Sequence, residues 1–556
     1  MQLVNRLHFK NFRGDFFGGL TAAIVALPLA LAFGVASGAG AIAGLYGSIC
    51  VGFLAPLFGG TPAQVSGPTG PMTVVMASVF IALTQQNPDN GLAMAFTVVM
   101  LGGIFQILFG VLRLGKYITL MPYTVISGFM SGIGLIIFSL QIGPFFGAKS
   151  LPNAIATLRS LPELVSNANS ASMALGVLTL VIVFGTPPRI NRILPSPLIA
   201  LITGTIMSVT LLPTLFPEEV RRIGDIPSGL PSLQVPVWTW DMLTTIVGYA
   251  LVLAALGSID SLLTSLVADN ITRTQHDADR TLVGQGIGNL VSGLVGGLPG
   301  AGATTRTVIN VQAGGKTPLS GIIHALILLI IVFWASSLAE LIPQAVLAGI
   351  LMKVAFDIID WSFLKRAHWV SMKAAFIMYG VMLLTVFVDL ITAVVVGVFV
   401  ANMLTIQRLT DLQVKEVKAV TTPDDEMPLT TREEEILHQA GEGILLFHLG
   451  GPMSFGAAKA ITQKLAVVDH YDVLILDFTD VPMIGVTAAL AIESILKEAV
   501  EKRRTIFLVG AKGQVLARLG RLDLLKLVPQ ENQIDYRLEA LESALPLIRT
   551  PLRVEA

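Results

Sequence analysis

Residues 59–71 read Gly59-Gly60-Thr61-Pro62-Ala63-Gln64-Val65-Ser66-Gly67-Pro68-Thr69-Gly70-Pro71. The prolines and glycines prevent one continuous helix here, although long apolar segments lie on both sides of the stretch. Pro71 suits the first turn of a new helix, which would leave the backbone N–H groups at Thr69 and Gly70 without partners inside the helix. The positive end of the helix dipole favours an anion, so the stretch predicts either an anion site or a capped helix start without a ligand.

A second stretch of the same kind occupies residues 296–307 and reads Gly296-Gly297-Leu298-Pro299-Gly300-Ala301-Gly302-Ala303-Thr304-Thr305-Arg306-Thr307. It also precedes a short apolar segment, which starts near Ala303. Two such helix starts in corresponding parts of the chain are more specific than either alone, because facing helix N-termini can bind one small anion between them. Irregular backbone at membrane depth is tolerated where it lines a cavity.

Composition places the whole chain in a membrane. Of 556 residues, 53% are hydrophobic and 13% are charged, whereas soluble domains carry about 25% charged residues. The mean hydropathy is +0.75. A net charge of -1 gives no basic surface for nucleic acid. The sequence contains no phosphate-binding loop and no catalytic triad order, so we expect neither an enzyme nor an organic cofactor.

The apolar segments predict a polytopic α-helical membrane protein. They run from near Phe17 to about Ile406 and number roughly 14 by length. The polar joint at residues 216–241 separates repeat one, about residues 17–213, from repeat two, about residues 242–408. With seven segments each, an odd number, the two halves must insert in opposite orientations, which predicts two inverted repeats.

The distribution of positive charge predicts the orientation. Lys and Arg cluster in alternate short loops, for example at Arg113 and Lys116 and at Lys365 and Arg366, whereas the loop at residues 85–91 contains neither residue type. Positive residues mark cytoplasmic loops. We therefore expect a multi-pass plasma (inner) membrane protein with both termini in the cytoplasm.

Asp260 lies inside the apolar segment of residues 246–267. An acid at the centre of a membrane costs at least about 2.5 kcal/mol, so something must compensate its charge. One candidate is a bound cation, with Thr264 one helical turn away and carbonyls near Gly302 and Ala303 as further oxygen ligands. The other candidate is a structural ion pair with Arg306. The residues alone leave both open.

The C-terminal part has a soluble composition. Residues 412–435 read as a polar linker, and residues 436–556 read as a small α/β domain. Apolar runs predict strands at residues 443–449, 473–478 and 504–509, and helical periodicity predicts helices at residues 459–468 and 486–502.

Several motifs together resemble the SulP family of anion transporters: Gly44-Leu45-Tyr46-Gly47, Ser66-Gly67-Pro68-Thr69, Gly284-Gln285-Gly286-Ile287-Gly288-Asn289 and Ile342-Pro343-Gln344-Ala345. The run Asp477-Phe478-Thr479-Asp480-Val481-Pro482-Met483-Ile484 is similar to the central strand and loop of a STAS domain. The resemblance implies fourteen segments in two inverted repeats of seven, a core domain that moves against a gate domain, and a homodimer formed through a cytoplasmic STAS domain.

Within that family, the sequence is most similar to the sodium-dependent bicarbonate transporters. This implies sodium/bicarbonate symport by alternating access, with sodium as the coupling ion. The implied sodium site and the implied bicarbonate site share some of their ligands. For sodium they are Asp260, Thr264, Gly302, Ala303 and Thr304; for bicarbonate they are Thr69, Gly70, Ala303, Thr304 and Thr305. The alternatives are a proton-coupled transporter of sulfate or another oxyanion, in which Asp260 carries the proton, and an anion sensor that signals through the STAS domain.

The STAS domain departs from the family pattern at one position. Where sigma-factor antagonists carry Asp-Ser-Ser-Gly, this chain carries Gly485-Val486-Thr487-Ala488. Val486 replaces the serine that is phosphorylated, and Thr487 is the nearest remaining hydroxyl. We therefore expect a role in dimer formation or targeting rather than a phosphorylation switch.

Overall fold

The computed structural model describes Asn5 and residues 9–118, 121–191, 194–216, 218–224, 231–422, 427, 429–465 and 470–548. The chain divides into two compact units, Met1–Val400 and Ala401–Ala556. The first unit consists of apolar helices, and the second unit contains a five-stranded sheet.

Within the described residues, seven main helices lie on each side of the polar joint at residues 216–241, which is the predicted number of segments, although the helix Thr304–Gln312 is mostly polar. Before the joint they are α1 (Phe12–Ser37), α2 (Ala41–Phe58), α3 (Gly70–Gln86), α4 (Gly91–Val111), α5 (Tyr123–Phe145), α6 (Ser170–Gly185) and α7 (Ser196–Thr210). After it they are α8 (Trp240–Thr272), α9 (Ala278–Leu294), α10 (Thr304–Gln312), α11 (Pro318–Ala339), α12 (Gln344–Ile358), α13 (Met372–Phe387) and α14 (Leu390–Lys415). Short helices in the joints are Gly115–Ile118, Ala154–Arg159, Leu161–Ser166, Pro188–Asn191, Leu212–Leu215, Trp361–Leu364 and Ala367–Val370.

Length and composition agree with a polytopic membrane protein. Within the described chain, six helices are long and apolar enough to cross a membrane: α1, α2, α4, α5, α8 and most of α14. Shorter apolar helices include α6, α7 and α13. Helix α10 has only nine residues, far fewer than the roughly 20 that a straight span requires. The broken helix predicted there is therefore confirmed.

The two breaks pair with each other. Strand β1 (Ser66–Gly67) and strand β2 (Ala301–Gly302) are antiparallel, with Ser66 opposite Gly302 and Gly67 opposite Ala301. A glycine is required at residue 300, because a Cβ there would lie 2.5 Å from the backbone carbon of Gly67. The short sheet satisfies backbone groups that lipid could not satisfy at this depth.

Helix packing separates two groups within the first unit. In one group, α9 packs against α2 and α4, α8 packs against α4, and α11 packs against α1 and α2. In the other, α12 and α13 pack against α5, and α6 packs against α7 and α12. Glycines permit the closest crossings: a Cβ at Gly103 of α4 would lie 2.6 Å from the carbonyl oxygen of Gly286 on α9. These groups are the expected core and gate domains.

The second unit contains a five-stranded sheet in the order β3-β4-β5-β6-β7. The strands are β3 (Val417–Val420), β4 (Ile444–Gly450), β5 (Val473–Asp480), β6 (Thr505–Val509) and β7 (Gln533–Ile534). The helices are α15 (Thr431–Ala440), α16 (Phe455–Leu465), α17 (Val486–Glu501), α18 (Gly513–Arg521) and α19 (Arg537–Ala544), with short turns at Leu524–Leu527, Gln530–Asn532 and Leu545–Leu547. Only β3 runs antiparallel to its neighbour. The three predicted strands are present.

Two boundaries differ from the sequence prediction. The helix expected at residues 459–468 begins earlier, at Phe455, and its predicted last residues lie outside the described part of the chain. The expected linker at residues 412–435 contains the end of α14, all of β3 and the start of α15. Strand β3 buries Val417 and Val420 against β4. An edge strand of four residues is too short for its alternation of apolar and polar residues to be recognised in the sequence.

A buried charge network links β4, β5, α15 and α19. Asp477 accepts hydrogen bonds from the backbone N–H and the hydroxyl of Thr479 and contacts Nδ1 of His448 at 2.9 Å. Arg537 donates to Glu433 at 2.8 Å and reaches Asp477 at 3.4 Å. Burial alone would raise the pKa of Asp477, but the hydrogen bonds from His448 and Thr479 outweigh it, so this pKa lies below its usual value.

We expect Asp477→Asn to destabilise the second unit by about 2 kcal/mol at pH 7, because the buried carboxylate accepts hydrogen bonds from Thr479 and contacts His448 and the half-buried Arg537. The pKa of Asp477 and that of Glu433 are both lowered in the folded chain. Their contribution is therefore complete at neutral pH and is lost as the pH falls below the unfolded values of about 4. Hydrogen exchange of β5 in the full chain, compared between the two proteins at equal pH, measures the difference.

Asp480→Asn is the matched control for this prediction. Asp480 lies at the end of the same strand and 3.6 Å from the other ring nitrogen of His448, but its side chain is 69% exposed. An exposed ion pair contributes less than about 1 kcal/mol. Equal destabilisation by the two substitutions would contradict a special role for the buried carboxylate.

Candidate functional site

A cavity of about 1030 Å³ lies between the core and gate groups. Its core wall includes Thr69 at the start of α3, Asp260 on α8 and Thr304 at the start of α10. Its gate wall includes Ile350 and Lys353 on α12. The two helix starts that the sequence predicted therefore open into one shared space.

The start of α3 leaves its polar groups available. Thr69 is the residue before the helix, but its side chain makes no capping hydrogen bond. Its hydroxyl oxygen is buried and has no well-formed hydrogen bond to any described residue, although it lies close to the Asp260 carboxylate. Of the two readings of this stretch, a helix capped by its own side chain does not match the structure. Thr69 and Gly70 line the cavity at the positive end of α3, a position that favours an anion.

The start of α10 is more constrained. The backbone N–H of Ala303 donates to the carbonyl oxygen of Val65 at 2.9 Å, so it is not free for an anion. Thr304 and Thr305 in the first turn are exposed and line the cavity. The cavity-lining groups that suit an anion are therefore the hydroxyls and N–H groups of these two threonines, together with the start of α3.

Oxygen atoms converge beside Asp260. The Thr264 hydroxyl donates to the carbonyl oxygen of Gly302 at 2.9 Å and lies 2.8 Å from the Thr304 hydroxyl. The Asp260 carboxylate lines the same cavity, and its buried Oδ2 has no hydrogen-bond partner among the described residues. A carboxylate with hydroxyl and carbonyl oxygens is the donor set that hard cations prefer.

Arg306 is the largest fully buried side chain of the described chain, and it is 2% exposed. Its Nη2 donates to the carbonyl oxygen of Pro68, just before the start of α3. Its Nη1 has no hydrogen-bond partner within the described residues. Asp260 Oδ2 and Arg306 Nη1 therefore do not bond to each other, and the direct ion pair considered from sequence is absent between these atoms. Arg306 instead connects the first turn of α10 to the segment that precedes α3, and it adds positive charge near the start of α3.

The polar residues that hold the two breaks in place were not predicted from the sequence. Gln64 donates to the backbone carbonyl of Ser261 at 2.8 Å, and the Ser261 hydroxyl accepts the N–H of Gly302 at 3.0 Å. Asn289 on α9 binds both backbone groups of Gly300, accepting its N–H at 2.7 Å and donating to its carbonyl at 2.9 Å. These contacts fix β2 against α8 and α9.

A signal for these residues was present in the sequence. Gln285 and Asn289 lie four residues apart in an apolar, glycine-rich helix, as do Ser261 and Ser265 beside Asp260. Residues four apart share one helix face, and polar residues in membrane helices face the bundle interior. The four-residue spacing would have predicted that both pairs face the bundle interior, but not which backbone groups they bind.

Each half contains one break, and the helix that follows each break begins at the same cavity. Two inverted halves arranged in this way define a membrane transporter of the inverted-repeat type. Residues 12–381 match the Sulfate permease family and residues 436–537 match the STAS domain. The bicarbonate transporter BicA of Synechocystis sp. (strain ATCC 27184 / PCC 6803 / Kazusa) is 54% identical over 546 residues, which cover 98% of this chain and 96% of the relative. The chain therefore belongs to the sulfate permease family.

Solved structures agree with this assignment. The transmembrane domain of a cyanobacterium bicarbonate transporter BicA is 56% identical, with a TM-score of 0.66, and the match covers 70% of this chain and all of that one. The murine anion transporter Slc26a9 in its inward-facing state matches 97% of this chain and 92% of its own, with a TM-score of 0.83 and 19% identity. This second match supports the fold alone.

Proposed function

We propose that this protein takes up bicarbonate together with sodium across the cell membrane by alternating access. The observation that carries the proposal is one cavity in which a cluster of oxygen atoms around Asp260 adjoins two helix N-termini. The relatives of high identity that are named bicarbonate transporters support the choice of anion. The oxygen cluster supports sodium as the coupling ion.

The proposed sodium ligands are Asp260, Thr264, Thr304 and the carbonyl oxygens of Gly302 and Ala303. The contacts of Thr264 with Gly302 and Thr304 bring three of these oxygens together. Bound sodium would neutralise Asp260, which otherwise repels an anion at the adjacent helix starts. Binding of the cation would therefore prepare the site for bicarbonate, which is the physical basis of coupling.

The proposed bicarbonate ligands are the hydroxyl of Thr69 and the N–H groups of Gly70, Thr304 and Thr305. The dipoles of α3 and α10 and the charge of Arg306 favour an anion there. Ala303 lies next to these groups, just before α10. Its own N–H is not among the proposed ligands, because it donates to the carbonyl oxygen of Val65.

The cavity also supports an orientation. It reaches Thr21 near the beginning of α1 and Pro188 and Asn191 in the loop between α6 and α7. The positive residue Arg189 lies in that loop, which marks it as cytoplasmic. With both termini in the cytoplasm of the plasma membrane, an opening of the cavity on this side supports an inward-open state.

A homodimer through the STAS domain is also part of the proposal. Four large apolar side chains are exposed around the adjoining starts of α16 and α17: Phe455, Met483, Val486 and Leu490. Val486 stands where a phosphorylated serine would stand in sigma-factor antagonists. An exposed apolar surface suits contact with a second copy of this domain better than a phosphorylation switch.

The proposal is tested by uptake of labelled bicarbonate into proteoliposomes at fixed pH and membrane potential, with or without an inward sodium gradient. We expect uptake to require sodium and to be unaffected by excess sulfate. Uptake that follows a proton gradient, or sulfate as the transported anion, would favour the proton-coupled oxyanion transporter. Absence of any flux in a folded protein would favour the anion sensor.

Thr69→Val is expected to raise the half-saturating bicarbonate concentration about tenfold, because a hydrogen bond to a charged ligand contributes about 1.5–3 kcal/mol. Thr73→Val provides a matched control one turn further along α3. The Thr73 hydroxyl is also buried, but it donates to the carbonyl oxygen of Thr69 in its own helix. We expect this control to change half-saturation less than about twofold, since it removes only a local helix contact. Similar effects of both variants would argue against Thr69 as an anion ligand.

A further inference from the structure

The gate wall of the cavity carries an ion pair of its own. Lys353 and Asp357 lie one turn apart on α12, on the helix face that also presents Ile350, Val354 and Ile358 to the cavity. Nζ of Lys353 lies 2.5 Å from both carboxylate oxygens of Asp357. The Lys353 side chain is 24% exposed and that of Asp357 is 57% exposed. Both charged groups can therefore reach the cavity space.

Helix energetics do not explain this pair. Asp357 lies in the last turn of α12, where the negative end of the helix dipole disfavours an acid. A lysine that precedes an acid by four residues is also the weaker of the two helical orientations. Placing two charges in an otherwise apolar membrane helix is unfavourable. A feature that departs from local preferences in this way indicates a function.

The distribution of charge over the cavity gives the pair a role. The charged side chains that line it, within the described residues, are Asp260 and Arg306 on the core wall and Lys353 and Asp357 on the gate wall. Arg306 is almost fully buried and bonded to Pro68. Lys353 is thus the more accessible cation, and its Nζ is held 5.2 Å from the ring centre of Phe184 on α6. Each wall presents one acid and one base.

We propose that Lys353 and Asp357 form a second ion-binding station, at which Lys353 binds bicarbonate and Asp357 binds sodium on their way between the core site and the open side of the cavity. This inference rests on the proposed function. Exposed ion pairs are weak, so small ions can replace each partner without a large barrier. Because the station lies on the gate domain, alternating access would move it relative to the core site.

The test measures half-saturation separately from each side of the membrane, in right-side-out and inside-out vesicles. We expect Lys353→Met, which keeps the length of the side chain, to raise half-saturating bicarbonate about two- to fivefold, the range that an exposed ion pair accounts for. The rise should occur only on the side to which the cavity opens. Asp357→Asn should raise half-saturating sodium on that same side. Lys353→Arg should restore wild-type values, and Lys353→Gln serves as a second neutral variant.

Lys365→Met is the matched control. Lys365 is exposed, follows α12 closely and does not line the cavity. Its removal should leave half-saturation unchanged, which separates a specific station from a general surface potential. Equal effects of Lys353→Met and Lys365→Met, equal effects on both sides, or no effect at all would overturn the inference. Failure of wild-type sodium-dependent uptake would instead overturn the proposed function, so the two failures are distinguishable.

Discussion

Asp260→Asn is expected to reduce sodium-dependent bicarbonate uptake at least 100-fold. The carboxylate is the one formal negative charge among the proposed sodium ligands, and an amide in its place leaves the cation with neutral oxygens only. Loss of a charged partner at a buried site costs about 3 kcal/mol or more, which corresponds to roughly a hundredfold weaker sodium binding. Uptake by the purified variant in proteoliposomes, measured over a range of sodium concentrations, gives the result.

Two further variants make this result interpretable. Asp241→Asn removes an exposed acid in the first turn of the same helix, α8, and should leave uptake unchanged. Asp260→Glu keeps the charge and should retain part of the sodium dependence. If Asp260→Asn transports with wild-type sodium dependence, the cation site lies elsewhere. If it loses a response to a proton gradient instead, the proton-coupled alternative is correct.

Gly300→Ala is expected to abolish transport and to lower the stability of the first unit. A Cβ at this position would lie 2.5 Å from the carbonyl carbon of Gly67 and 2.7 Å from its oxygen. Backbone atoms cannot move aside as a flexible side chain can, so the two strands must separate. Overpacking of this kind costs roughly 1–3 kcal/mol. It would also displace Gly302, whose carbonyl is a proposed sodium ligand.

Gly248→Ala is the matched control for the glycine prediction. Gly248 lies in α8, and a Cβ there would meet no atom within 4 Å. Alanine favours a helix interior by about 1 kcal/mol over glycine, so this variant should be as stable as wild type or slightly more stable. Thermal unfolding in detergent and uptake in proteoliposomes would be measured on both. Normal transport by Gly300→Ala would show that the two strands need not approach so closely.

Features fixed by neighbouring residues were predictable. Pro71 and the glycines around it break one helix and begin another, and the predicted starts near Thr69 and Ala303 agree with N-caps at these residues. The two sets of seven helices followed from hydropathy, from the glycine-rich breaks and from the polar joint at residues 216–241. Strands β4, β5 and β6 followed from short apolar runs. In each case the information lies within a few turns of chain.

Features that depend on distant residues were not predictable in detail. The sequence suggested that Asp260 needs a partner and offered either a cation or Arg306, but only the folded chain shows that Arg306 reaches Pro68, 238 residues away. The resemblance implies Ala303 as a bicarbonate ligand, and only the folded chain shows that its N–H donates to the carbonyl oxygen of Val65. Strand β3 forms only because β4 provides its neighbour.

The sequence by itself therefore determined that this is a two-repeat membrane protein with two helix starts, an acid inside an apolar membrane segment and a C-terminal α/β domain. The tertiary structure decided which atoms of those elements meet: the pairing of β1 with β2, the clamp of Asn289 on Gly300 and the position of Lys353 opposite the core site. The physical reason is how far apart the interacting residues lie in the sequence. Helix starts and hydropathy arise from local backbone chemistry and from the lipid, whereas each of these contacts exists only after both partners have been packed against each other.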